Sequence, residues 1–234
     1  MSIKKKLPNT LTCCNLLCGC VATLFAFKAD FTTALVFIIV GAVFDFFDGF
    51  AARLLHVSGS LGKELDSLAD DITFGFAPAA AVFTLLTQAH FPGLPSVTLP
   101  LVPYIAFLIA AFSALRLAKF NLDARQTMGF IGLPTPANAL FWAALASTLS
   151  GIIPQVAYGG WFLLVGIVLS CWLLVAEFPM FALKFKHFHW RGNRLRYTFL
   201  LLSLLLLLLF GRQGLPLVIV LYVFLSLVAC KLLR

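Results

Sequence analysis

Eight apolar runs, each near the length that crosses a bilayer, follow one another along this chain with short breaks between them. They lie at about residues 10–27, 32–55, 65–87, 100–118, 134–153, 161–183, 197–210 and 214–231. A membrane-spanning helix needs about 20 such residues, and lipid offers backbone polar groups no partner outside their own helix. The pattern predicts an all-α, polytopic membrane bundle of about eight transmembrane helices forming one integral membrane domain, 1–234. Of the 234 residues 62% are hydrophobic and 11% charged, more apolar surface than a soluble domain of this size can bury. The first run lacks a clear small-residue cleavage site and is followed by many others, so it is not read as a removable signal peptide. Pro and Gly at Phe91-Pro92-Gly93, Gly151 to Gly160 and Gly211 to Gly214 mark loops. The six cysteines sit inside apolar runs without partner histidines at zinc spacing. They read as small buried hydrophobes, not as a disulfide framework.

A net charge of +8 invites a nucleic-acid reading, but the positions of the charges exclude it. When Lys4, Lys5 and Lys6 are placed in the cytoplasm, the eight-span count puts every Lys and Arg except Lys28 and Arg212 on that same side. This is the positive-inside bias of a membrane protein with both termini cytoplasmic, in contact with anionic headgroups of the membrane lipids. The basic segment Lys184 to Arg196, with His187, His189 and Trp190, reads as an interfacial collar. The runs Leu200–Leu209 and Leu215–Leu227 read as plain lipid-facing helix and, Arg212 apart, carry no polar residue suited to chemistry.

Acidic residues are concentrated elsewhere. Of nine in the chain, six fall between Asp45 and Asp71: Asp45, Asp48, Glu64, Asp66, Asp70 and Asp71. Ionisable groups beside a membrane helix are costly and mark functional sites. Residues three, four and seven apart share a helix face, so Asp45, Asp48, Gly49 and Ala52 form one stripe on the second run. Gly62, Asp66 and Asp70 form another on the third. The link Leu55–Leu61 makes the two runs antiparallel neighbours, with two pairs of carboxylates facing across one gap. Crowded like charges need compensation, and hard oxygen ligands suit Mg²⁺, Mn²⁺ or Ca²⁺. Gly49 and Ala52 leave a groove open to the backbone, and Arg53 can meet an anion, so the stretch reads as a phosphate-handling site.

The residues Asp45-x2-Asp48-Gly49-x2-Ala52-Arg53-x8-Gly62-x3-Asp66-x3-Asp70 resemble the signature of the CDP-alcohol phosphatidyltransferases at every fixed position. That resemblance implies a six-helix catalytic core, here 7–196, followed by two additional C-terminal spans, 197–234. It also implies a homodimer and a two-cation site (Mg²⁺ or Mn²⁺, with Ca²⁺ a further candidate). Asp45, Asp48 and Asp66 would be metal ligands, with Asp70 as fourth ligand and general base. CDP-diacylglycerol would be met by Gly49 and Ala52 as the nucleotide floor, by Arg53, by Gly62 as a point of close approach, and by Asn9 and Thr12. The metals would bridge the pyrophosphate, Asp70 would deprotonate an alcohol, and CMP would leave. Glu64 and Asp71 lie outside the signature and read as helix N-terminal acids.

The signature is shared by enzymes that use different alcohols. Leu7-Pro8-Asn9-Thr10-Leu11-Thr12, Arg116-Leu117-Ala118-Lys119-Phe120-Asn121 and Gly132-Leu133-Pro134-Thr135-Pro136-Ala137-Asn138 resemble the bacterial membrane-type, serine-using branch. This implies L-serine as acceptor, met by Arg116, Lys119 and Asn121, in the bacterial inner membrane. Glycerol phosphate is the rival acceptor, since Arg116, Lys119 and Arg125 suit a phosphate equally. A cation or proton transporter fits less well, because the acids gather at one face and no repeat is evident.

Overall fold

The computed structural model describes residues 3–57, 59–123, 130–181, 189–190 and 193–232. Two long helices open the chain, α1 (Ile3–Phe27) and α2 (Phe31–Leu54). They fold into a tight antiparallel pair because small side chains line both: Ala22 and Ala26 on α1, Ala34 and Gly41 on α2, all buried. Asp30 caps α2, accepting from the Thr33 N–H at 3.0 Å, and the bonds from Thr33 hold its carboxyl below the usual range.

The third rod is not one uniform helix. It runs as α3 (Ser60–Asp70), a π-helical turn (Asp71–Phe76) and α4 (Ala77–Thr87). A π turn inserts one residue into the helical register and is frequent at functional sites. Its Thr73 is fully buried and donates through Oγ1 to the backbone oxygen of Asn15 on α1 at 2.9 Å. This contact needs two glycines. A Cβ on Gly19 would come within 2.9 Å of the Thr73 backbone nitrogen, and one on Gly41 within 2.6 Å of Thr73 Cγ2.

The fourth rod begins as a 3₁₀-helix (Leu99–Phe107) carrying Pro100 and Pro103 and continues as α5 (Leu108–Leu122). Helices α6 (Thr135–Leu149) and α7 (Gly159–Val175) complete the core. Trp142 of α6 is buried against Gly166 of α7 and donates Nε1–H to Ser170 Oγ at 2.9 Å. A two-stranded antiparallel ribbon pairs β1 (Phe130–Ile131) with β2 (Pro179–Met180), a small addition to the all-α expectation.

The chain ends in α8 (Arg194–Phe210) and α9 (Gly214–Leu232). In one straight helix Phe199 and Tyr222 would stand about 35 Å apart at ~1.5 Å per residue, yet their rings are 5.7 Å apart. The corner Gly211–Gln213, with Gly211 at φ +55°, therefore folds the two helices into a hairpin.

Among the described residues, five helical stretches have the length and apolarity to cross a bilayer: Lys6–Phe27, Phe31–Leu54, Ser60–Thr87, Leu99–Leu122 and Arg194–Ala229. The last contains the hairpin. Helices α6 and α7, at 15 and 17 residues, are shorter than the expected spans. The chain is thus an all-α integral membrane bundle, with five stretches of spanning length where eight spans were expected. Most of the basic segment Lys184 to Arg196, and Arg125, lie outside the described residues.

Candidate functional site

The seam between α1, α2 and α3 gathers the acidic groups Asp45, Asp48, Asp66 and Asp70. Asp45, Asp48 and Asp66 bring one carboxylate oxygen each to within 4.8 Å of one another. The first two lie one turn apart on α2 and the third enters from α3, and the packing of both helices on α1 brings them together. Asp48 is buried and its Oδ2 accepts from the Thr12 hydroxyl at 2.6 Å. Asp66 Oδ1 is buried with no hydrogen-bond partner. Asp70, also buried, stands outside the three-carboxylate group but within the fields of Asp45, Asp66 and Asp48, and its Oδ1 accepts from Asn15 Nδ2 at 3.1 Å. An orphaned carboxylate oxygen in an all-oxygen donor set suits a hard divalent cation, because an unpaired buried charge is costly.

Beside the carboxylates opens a groove of about 500 Å³ lined by Asn9, Thr12, Asp48, Gly49, Ala52, Gly62 and Asp66, among others. Of the residues expected to meet a nucleotide, Arg53 alone is not in the lining. Its Nη1 instead lies back over Gly49, where an added Cβ would sit 3.6 Å away. Gly62 is the point of close approach of α3 to Asn9, whose Oδ1 would be 3.4 Å from a Cβ there. Pro8, Ser60 and Lys63 also line the groove.

A second cleft, about 270 Å³, lies between the C-terminal ends of α5 and α7 and is lined by Arg116, Lys119, Asp123, Ile131 and Glu177 together with apolar side chains. Arg116 is 6% exposed; its Nη1 donates to Thr135 Oγ1 at 3.5 Å, while Nε has no partner. It lies in the field of Asp70, which links this cleft to the carboxylates. Asn121 does not reach the cleft. Its Nδ2 donates to Ser67 Oγ at 2.7 Å and its backbone oxygen accepts from Lys63 Nζ at 2.8 Å, tying α5 to α3.

The segment Gly132-Leu133-Pro134 closes this end. Gly132, at φ +73°, lies where a Cβ would come within 2.9 Å of the carbonyl oxygens of Ala176 and Leu174. Its N–H donates to Phe178 O at 3.0 Å and the Leu133 N–H to Leu173 O at 2.9 Å. The hairpin backs the ribbon, since buried Tyr222 donates its hydroxyl to Phe181 O at 2.9 Å and stands in the field of Arg116. The expectation that Leu215–Leu227 is plain lipid-facing helix is therefore corrected at Tyr222. Tyr222, read as part of a lipid-facing run, is a tether under the second cleft. Two further readings change. Glu64 is not a helix N-terminal acid, since the first turn of α3 holds none, and Asp71 opens the π-helical turn inside the continuous rod, over Gly75 and beside Ser113.

Asn15 and Thr73 were not singled out from the sequence. Asn15 has a signal in hindsight: Pro8, Thr12, Asn15 and Gly19 recur at spacings of four, three and four, one face of α1 aimed at the acids. Thr73 has none, because its placement depends on the π turn.

A profile of the CDP-alcohol phosphatidyltransferase family matches residues 5–172. A Bacillus subtilis (strain 168) protein named CDP-diacylglycerol--serine O-phosphatidyltransferase is 32% identical over 186 residues, 78% of this chain and 90% of that protein. A Mycobacterium leprae protein of the same name is 29% identical over 74% of this chain and 57% of its own length. The Saccharomyces cerevisiae protein so named is 39% identical over 44% of this chain and 37% of its own length. The alignments thus span most of the Bacillus protein but little more than half, or less, of the other two. With the profile covering well over half its length, the chain belongs to the CDP-alcohol phosphatidyltransferase family.

Proposed function

We propose that this protein transfers the phosphatidyl group of CDP-diacylglycerol to the hydroxyl of L-serine, giving phosphatidylserine and CMP. The observation that carries the reading is the meeting of Asp45, Asp48 and Asp66 beside a groove lined by Asn9, Thr12, Gly49, Ala52 and Gly62. The names of the relatives support serine. Asp45, Asp48 and Asp66, with Asp70 beside them, would hold two divalent cations, Mg²⁺ or Mn²⁺, whose chemistry is to neutralise the pyrophosphate and the charge left on CMP.

The side chains divide the remaining work. Asn9, Gly49, Ala52 and Gly62 take the cytidine half, and Arg53 over Gly49 meets phosphate charge. Thr12 holds the Asp48 carboxylate in one orientation. Asn15 occupies Oδ1 of Asp70 and leaves Oδ2 to accept the serine hydroxyl proton. The freed oxygen attacks the phosphorus next to diacylglycerol, the new P–O bond replaces the bond to CMP, and CMP departs with the electron pair. Arg116 and Lys119 take the serine carboxylate. The acyl chains stay in lipid, and a site at the cytoplasmic face of the inner membrane suits the two water-soluble compounds. Pairing of two copies and a core over 7–196 are part of the same proposal.

The test is CMP release by detergent-purified protein from CDP-diacylglycerol and Mn²⁺ with serine, glycerol 3-phosphate or inositol phosphate added separately. Serine-dependent release, lost in EDTA and restored by Mn²⁺ or Mg²⁺, is expected. Release dependent on another alcohol would overturn the acceptor, and indifference to chelation would overturn the metal site.

A further inference from the structure

The second cleft has a charge pattern that the acceptor's phosphate-bearing rivals do not match. The buried Arg116 guanidinium keeps one N–H, at Nε, without a partner, a donor that a bound anion would satisfy. The lining is nevertheless not a basic patch. Arg116 and Lys119 are opposed by two carboxylates, Asp123 and Glu177, in a space of about 270 Å³. That is below the ~300–1,000 Å³ typical of drug-sized ligand sites and suits one small polar molecule. A phosphate dianion entering there would meet the exposed Glu177 carboxylate as well as two cations. A molecule carrying one carboxylate and one ammonium would find a partner for each.

We propose that the cleft between the C-terminal ends of α5 and α7 binds the zwitterionic end of an amino-acid acceptor, and that Glu177 on its rim selects for the ammonium group and against phosphorylated alcohols. This rests on the reading of serine as acceptor and adds the residue that makes the choice. The fold supplies the placement. Gly132, in the left-handed region, brings its segment against the carbonyls of Leu174 and Ala176, and β1–β2 pairing fixes the chain just beyond Glu177. Glu177 thus sits in a locally pinned turn, exposed to solvent yet part of the cleft wall. Neither composition nor the family signature points to it.

Truncated acceptors separate the two charges. Ethanolamine keeps the ammonium and lacks the carboxylate; 3-hydroxypropionate keeps the carboxylate and lacks the ammonium. Purified wild-type protein and Glu177→Gln are compared in mixed micelles with CDP-diacylglycerol and Mn²⁺. The measured quantities are KM for serine and for CDP-diacylglycerol, and competition against serine by each truncated compound and by glycerol 3-phosphate. A partly exposed charge contact predicts that Glu177→Gln raises KM for serine about fivefold. Competition by ethanolamine should weaken by a similar factor. Competition by 3-hydroxypropionate and KM for CDP-diacylglycerol should stay within about twofold, and Glu177→Lys should strengthen competition by glycerol 3-phosphate. Arg116→Ala should show the reverse split, losing 3-hydroxypropionate first. Unchanged KM for serine in Glu177→Gln, or equal weakening of both truncated compounds, overturns the assignment of Glu177 while leaving serine as acceptor intact. Wild-type protein that releases CMP only with a phosphorylated alcohol overturns both. A thermal melt in the same detergent, expected to be unchanged because the side chain is exposed, distinguishes specificity from misfolding.

Discussion

The seam of α1, α2 and α3 and the hairpin of α8 and α9 are both apolar helical regions, yet they are built on different terms. Across the seam, glycines and alanines bring backbones close enough for Thr73 to bond the α1 backbone and for Thr12 and Asn15 to reach Asp48 and Asp70. The hairpin instead shows its leucines outward; only 11% of its most apolar window is buried. It meets the rest of the protein through Phe199, Val218 and Tyr222 beside Leu133 and Met180, through α9 on α6, and through Arg212, which donates to Thr32 at 2.9 Å. Hydropathy alone does not separate the two regions. Small residues do, because in lipid helices associate by close packing and by polar contacts and not by escaping water.

The comparison can be broken in order of expected effect. Asp70→Asn should lower kcat for CMP release about a thousandfold, the middle of the range for a lost general base, while the protein still extracts as a folded species. Retained turnover would remove Asp70 from that role. Gly19→Val places side-chain carbon against the Thr73 backbone. It should cost about 3 kcal/mol or more of stability, seen as a lowered melting temperature in detergent, since backbone cannot move aside as a side chain can. Asn15→Ala frees Asp70 Oδ1 and should reduce kcat about tenfold with KM for CDP-diacylglycerol unchanged, in line with loss of a hydrogen bond to a carboxylate. Equal changes in kcat and KM would mean that Asn15 serves packing only. In the hairpin, Tyr222→Phe removes one hydrogen bond and should cost about 1 kcal/mol. Leu208→Ala, on an outward-facing leucine, should fall within about 0.5 kcal/mol of wild type. A large loss at Leu208 would show that the outward face of the hairpin is itself a packed interface.

Much of the catalytic half was legible before any coordinates. The apolar runs fixed the class, and two helical stripes of acids with glycine and alanine between them placed Asp45, Asp48 and Asp66 together, because helix periodicity is a local rule that tertiary packing did not override. Gly49, Ala52 and Gly62 followed onto one groove for the same reason, while Asn9 and Thr12 were expected there only through the family resemblance. Arg53 and Asn121 show where such reading stops. Both are long or amide side chains at helix ends, and their rotamers carry Arg53 over Gly49 and Asn121 to Ser67.

What the sequence by itself determined is a helical membrane bundle with an acidic seam, since those features depend on hydrophobicity and on spacing along single helices. What only the tertiary structure decided depends on contacts between distant segments. The π turn sets Thr73 against Asn15, the left-handed Gly132 packs on the end of α7, Tyr222 supports the ribbon, and Arg116, Lys119, Asp123 and Glu177 gather around one cleft. Each of these joins segments far apart in the chain (at the second cleft, Glu177 to the Arg116, Lys119 and Asp123 face of α5), and only the closeness of two backbones determines which side chains meet.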